Sequence, residues 1–198
     1  MPEHQRYITP DQAAETVLKQ LTPTSRLIVT GQIGCGKTTL AKEISARLGL
    51  THLEIDNFHD DPDPQLAAAE AASALAGGWV AEANVWQIPP AIWEASDVAL
   101  FLDYANLVHY RRIIRRCFRQ CMTGPTWATI RGHISEELLH LKIVYLYADQ
   151  NRAGWHKCGG IAGVVLPATP LPAIPPPVIR CPSPRATNKL LAGIGNRI

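Results

Sequence analysis

Arg26-Leu27-Ile28-Val29-Thr30, running straight into Gly31-Gln32-Ile33-Gly34-Cys35-Gly36-Lys37-Thr38, is the stretch that decides the fold. Its first five residues are apolar and β-branched and stop at a glycine, which predicts a short buried strand. The next eight fit G-x-x-x-x-G-K-[ST] at every fixed position, the phosphate-binding loop. Glycines at 31, 34 and 36 let the chain turn so that successive backbone N–H groups point inward at phosphate oxygens. The helix that follows adds its positive N-terminal end. Lys37 is placed to reach β- and γ-phosphates and the Thr38 hydroxyl to ligate Mg²⁺, with Cys35 and Thr39 completing the cradle. A chance glycine-rich turn would not also sit between a strand and a helix. Nucleoside triphosphate binding is therefore expected; the acceptor of any transferred group is not specified by such a loop.

Outward from the loop, the elements alternate. Lys37 to Leu48 places Leu40, Ile44 and Leu48 on one helix face, and Gly49 ends it. His52–Asp56, Trp79–Ala83 and Val98–Asp103 read as strands, with an alanine-rich helix over Gln65–Leu75 between the first two. Upstream, Thr9-Pro10-Asp11-Gln12 carries a helix start, predicting a helix to about Leu21. This alternation predicts a three-layer α/β/α fold around a parallel sheet.

In such sheets, ligands sit beyond the carboxyl ends of the strands. Asp56, Glu82 and Asp103 fall at or beside those ends. A phosphotransfer site uses one carboxylate toward Mg²⁺ and another toward the acceptor hydroxyl, whereas a strand-end acid can equally cap a neighbouring helix. Asp56 suits either the metal or the acceptor role.

Ala105 to Gln120 reads ANLVHYRRIIRRCFRQ. Arg111, Arg112, Arg115, Arg116 and Arg119 spread over an arc of roughly 140° on one helical face. Ile113, Ile114, Cys117, Phe118 and Cys121 take the other, which reads as a packed face. Guanidinium groups this dense, with few acids nearby, call for an anion. They can clamp phosphates as the stem of a lid, bridge nucleic-acid phosphates, or form a solvated face. Gly124-Pro125 then breaks the helix where a lid hinge would lie.

The whole chain has 198 residues, 46% apolar, and a net charge of +2. That total hides a split: 6 basic and 14 acidic residues through Tyr104, then 13 basic and 3 acidic. No apolar run reaches the roughly 18–20 residues of a membrane span, and Met1-Pro2-Glu3-His4 lacks a signal-peptide layout, so a cytoplasmic protein without membrane partners is expected. Five irregularly spaced cysteines suit buried thiols better than a disulfide framework or a zinc site. Eight of the 16 prolines fall between Pro167 and Pro184, predicting an extended arm unable to form helix or inner strand. The expected organisation is an N-terminal helical extension over 1–25 and a phosphate-loop domain over 26–166. Within that domain Ile161–Leu166 reads as a fifth strand. Residues 167–198 then carry a proline-rich arm and a closing helix near Ala186–Leu191.

The runs GQIGCGKTTLAKEISARLGL, LEID, WVAEANVW and VALFLDYANLVHYRRIIRRCFRQ together resemble the adenylate-kinase-related phosphate-loop proteins. Within them the subgroup of DNA topology modulation proteins is the most similar, over about Arg26 to Met122. The resemblance implies a kinase-like fold with an arginine-rich lid helix, and ATP with Mg²⁺ as ligands. It implies that Arg112 stacks on adenine, that Arg116 contacts phosphates, and that Asp56 serves the acceptor or the metal. Glu82-Ala83-Asn84 stands where those relatives carry Asp-Gly-Asn. The resulting expectation is transfer of the ATP γ-phosphoryl group to a small acceptor. Lys37, Asp56 and Arg116 would carry the chemistry, and Gly31, Gly34, Cys35, Gly36, Lys37, Thr38, Thr39 and Arg112 would bind nucleotide. An ATP-responsive DNA-binding protein and a slow ATPase without an acceptor are the alternatives.

Overall fold

The run Arg26–Gly31 forms strand β2, the centre of a six-stranded, all-parallel sheet. The computed structural model that shows this describes residues 7–8, 20–84, 87–123, 126–157 and 176–194, of which 7–8 and 147–157 are described by backbone alone. The other strands are β1 (Tyr7–Ile8), β3 (Thr51–Glu54), β4 (Trp79–Ala83), β5 (Val98–Leu102) and β6 (Val178–Cys181). Their order across the sheet is β3-β4-β2-β5-β6-β1.

Alternation along the strands builds two cores. Leu27, Val29, Leu100 and Leu102 point to one face, covered by α1 (Lys37–Leu48) and α6 (Pro184–Ile194). Ile28, Ala81, Ala99 and Phe101 point to the other, covered by α2 (Pro64–Ala74) and α3 (Pro90–Ala95). Small Ala81, Ala83 and Ala99 there leave room for the buried indoles of Trp79 and Trp93. The result is the expected three-layer α/β/α phosphate-loop fold. Helices α4 (Asn106–Thr123) and α5 (Trp127–Lys157) pair with each other beyond the strand ends and share a small core around Ile113 and Val144.

Three expectations are corrected. Val178–Cys181 is an inner strand, between β5 and β1, because Pro177 and Pro182 flank it and none of its four residues is proline. The second strand ends at Glu54, and Asp56 lies in the 3₁₀ turn Ile55–Phe58. On α4 the apolar face is not fully packed: Ile113 is buried between the phosphate loop and α5, but Ile114 and Phe118 are 57% and 69% exposed. The strand expected over Ile161–Leu166, and the helix expected over Thr9–Leu21 apart from its last two residues, lie outside the described residues.

Candidate active site

The phosphate loop joins β2 to α1 at the carboxyl edge of the sheet. Helix α1 opens on Gly36 with no side-chain cap and no acid in its first turn, which leaves its first N–H groups available to an anion. Gly36 has φ +91°, and a Cβ there would stand 2.9 Å from Arg112 Nη1. Gly34, at φ +78°, faces Ile113 just as closely. Both glycines are thus required by backbone conformation and by the close approach of α4. A cavity of about 870 Å³ opens in front of the loop.

Two short connections run from the loop to the strand ends. Thr38 Oγ1 donates to Glu82 Oε1 at 2.7 Å. Lys37 Nζ donates to Asn84 Oδ1 at 3.1 Å and to the Gln32 carbonyl at 3.5 Å. Asn84 in turn donates to Gln87 Oε1 through its backbone N (3.1 Å) and its Nδ2 (2.6 Å), and Gln87 Nε2 donates to Asp56 Oδ1 at 2.8 Å. A chain of two neutral amides therefore links the loop lysine to Asp56. Glu82 is 2% exposed; burial pushes its carboxyl above the usual range against the Thr38 hydrogen bond and Lys37, and Glu54 and Asp56 push it further.

The opposite wall is helical. Arg112 Nη1 donates to the Cys35 carbonyl, and its guanidinium lies 5.1 Å from the centre of the Tyr104 ring. The Tyr104 hydroxyl is bonded at 2.6 Å to Thr187 of α6, whose Pro184, Asn188 and Leu191 also face the cavity. Arg115, Arg116 and Arg119 line it from α4. The arginine face is not as uncompensated as expected. Glu137 on α5 bonds Arg116 at 2.5 and 2.7 Å, with His140 Nδ1 3.0 Å from Glu137.

Lys37, Thr38, Asp56, Arg112 and Arg116 thus converge on one cavity, as do Gly34, Cys35, Gly36 and Thr39; Gly31 closes β2 behind them, its position pressed against Leu102. Asp103 is not among them: it accepts from Arg180 Nε (2.8 Å) and Nη2 (2.6 Å), tying the ends of β5 and β6, which makes it a structural acid and accounts for one late arginine. Sequence reasoning missed Gln87, Glu137 and His109. His109 is fully buried, with its two ring nitrogens each 3.1 Å from a backbone carbonyl, Ile33 of the loop and Tyr104. A histidine amid five arginines was the one signal available for it.

No protein-family model matches the chain, and no curated protein matches it. Among solved structures, it is similar to a shikimate kinase from Acinetobacter baumannii in complex with shikimate (12% identity, TM-score 0.49, covering 89% of this chain and 94% of that one). It is similar also to a sugar kinase from Janibacter sp. (16% identity, TM-score 0.44, covering 86% and 91%).

Proposed function

We propose that the protein is a phosphotransferase that binds ATP with Mg²⁺ and moves the γ-phosphoryl group to the hydroxyl of a small acceptor. The observation that carries this reading is the shared cavity. It holds Lys37 and Thr38 of the phosphate loop together with Asp56, which the Asn84–Gln87 amides link to Lys37, so a triphosphate on the loop and an acceptor at Asp56 would meet within it.

The loop N–H groups and Lys37 hold the polyphosphate and bear the charge that moves during transfer. Thr38 and Glu82, hard oxygen donors 2.7 Å apart, fit Mg²⁺. No group of three or more His, Cys, Asp or Glu among the described residues forms a cation site, so such an ion needs phosphate oxygens as well. When bound, the ion offsets charge between the β- and γ-phosphates. Arg112, braced on Tyr104, and the α6 surface around Asn188 form the two walls for the base. Asp56, the acid on the acceptor side, orients the hydroxyl and takes its proton as the phosphoryl group arrives. Arg116, fixed by Glu137, faces the transferring phosphoryl together with Arg115 or Arg119.

Stimulation of ADP release by an added acceptor tests the reading. A kinase releases ADP faster with its acceptor present. ATP turnover that no acceptor stimulates would leave an ATPase in its place.

A further inference from the structure

From the charge of the cavity walls, and resting on the phosphotransferase reading above, we infer that the phosphoryl acceptor is a small hydroxyl compound bearing no carboxylate or phosphate, and that an ammonium group on it is favoured. From Leu48 to Tyr110 the sequence contains no lysine and no arginine. Elements β3, α2, β4, α3 and β5 all fall in this stretch, so the strand-end side of the cavity receives acids from them and no permanent cation. Glu54, Asp56 and Glu82 line the cavity together on that side.

Of the other basic groups near this end, Lys42, His52 and His59 do not line the cavity, and Lys37 does. Lys37 is bonded to Asn84 and belongs to the phosphate loop. His52 lies 4.0 Å from Glu82, outside the cavity lining. His59 is exposed and pairs with Asp60 at 3.1 Å. The cavity's arginines all stand on α4, where Arg112 bonds the Cys35 carbonyl of the phosphate loop and Arg116 bonds Glu137.

The hold on Asp56 gives a second, independent indication. Its Oδ1 is fixed by Gln87 Nε2, an amide, and its Oδ2 makes no hydrogen bond among the described residues. An aspartate held at one oxygen by a neutral amide offers its other oxygen to a donor. A hydroxyl or an ammonium fits that oxygen; a second anion meets repulsion from Asp56 and Glu54, and β3, α2, β4, α3 and β5 supply no lysine or arginine to offset it. In the transfer, the bond between the γ-phosphorus and the β–γ bridging oxygen breaks, leaving ADP. The acceptor oxygen bonds to that phosphorus, and its proton passes to Asp56 Oδ2.

Matched acceptors decide it. ADP release and ³¹P-detected product are measured with glucosamine, glucose and glucuronate, and with aminopropanediol, glycerol and glycerate, alongside calorimetric ATP binding. The inference expects turnover with the amine or the neutral member of a set, and kcat/KM at least tenfold lower for the acid. Glu54→Lys is expected to raise the ratio of acid to amine kcat/KM at least tenfold. An acid used as well as its neutral partner, or a ratio unmoved by Glu54→Lys, overturns the inference and leaves the kinase standing. ATP that binds without any acceptor being phosphorylated in either set overturns both.

Discussion

Arg116 donates from Nε and Nη2 to the two oxygens of Glu137, at 2.5 and 2.7 Å, across the α4–α5 contact. Glu137 is 2% exposed and the arginine side chain 44%, so the pair is solvated from one side only. Burial alone would lift the Glu137 carboxyl, but the bonds from Arg116 and His140 outweigh it and hold the group below the usual glutamate range. Its folded value lies below its unfolded one, so the stability it contributes is present above the unfolded value and is lost as pH falls through the folded one. Arg116→Ala leaves a buried carboxylate without its partner and is expected to cost about 2 kcal/mol in urea titration. Glu137→Gln keeps the shape but frees the guanidinium, and is expected to lower kcat roughly tenfold with little change in ATP affinity. The double variant should fall short of the sum of the two stability losses; strict additivity would mean the two groups are not coupled.

Lys37→Ala separates binding from folding. Among the described residues the ammonium bonds Asn84 Oδ1 and the Gln32 carbonyl, and Asn84 faces a cavity open to water. Thermal stability is expected to shift little, while the ATP dissociation constant rises by roughly a hundredfold or more, as for a lost charge-assisted contact to phosphate. Retained ATP affinity in calorimetry would defeat the reading of the loop.

What could be read in advance was local. The phosphate loop, the helix Lys37–Leu48 with its Gly49 stop and the apolar strand Val98–Leu102 each carry their signal within a dozen neighbouring residues. The Arg116–Glu137 pair spans two helices, and nothing within α5 distinguishes Glu137 from its neighbour Glu136; burial singles it out, and burial is set by how α4 and α5 pack. Val178–Cys181 hides between prolines, and its strand character comes from pairing with β5 rather than from its own four residues. Gln87 had no signal at all, because its role is to connect Asn84 to Asp56. Ile114 and Phe118 were misjudged because helical periodicity tells which residues share a face, not whether another element covers it.

Glu82 trades stability for a charged oxygen beside Thr38. Its folded value is raised, chiefly by burial, so the penalty is felt above that value and fades as pH falls through it into the acid range, where the carboxyl is protonated in both states. Glu82→Gln keeps an oxygen to accept from Thr38 and removes the buried charge. It is expected to be more stable than the parent by about 1 kcal/mol at neutral pH, with the gain vanishing below about pH 4. The same variant should lose the Mg²⁺ dependence of ATP binding. Equal stability at both pH values would mean the carboxyl is solvated despite its position in β4.

His109 fastens the loop to the rest of the site. Its ring reaches the Ile33 carbonyl within the phosphate loop and the Tyr104 carbonyl at the end of β5, and it is fully buried. A leucine of similar volume fills the space but has no N–H, so the carbonyl that the ring N–H serves loses that donor, at a cost of about 1–3 kcal/mol. Because the ring also contacts the Ile33 carbonyl, the loop backbone should become less fixed, and a loop that must be ordered on binding loses affinity. His109→Leu is therefore expected to lower both the unfolding midpoint and ATP affinity, the latter roughly tenfold. Asparagine, which can donate to one carbonyl, should recover part of each. If the midpoint falls while calorimetric ATP affinity stays at the parent value, His109 supports the helix alone and the loop holds its shape without it.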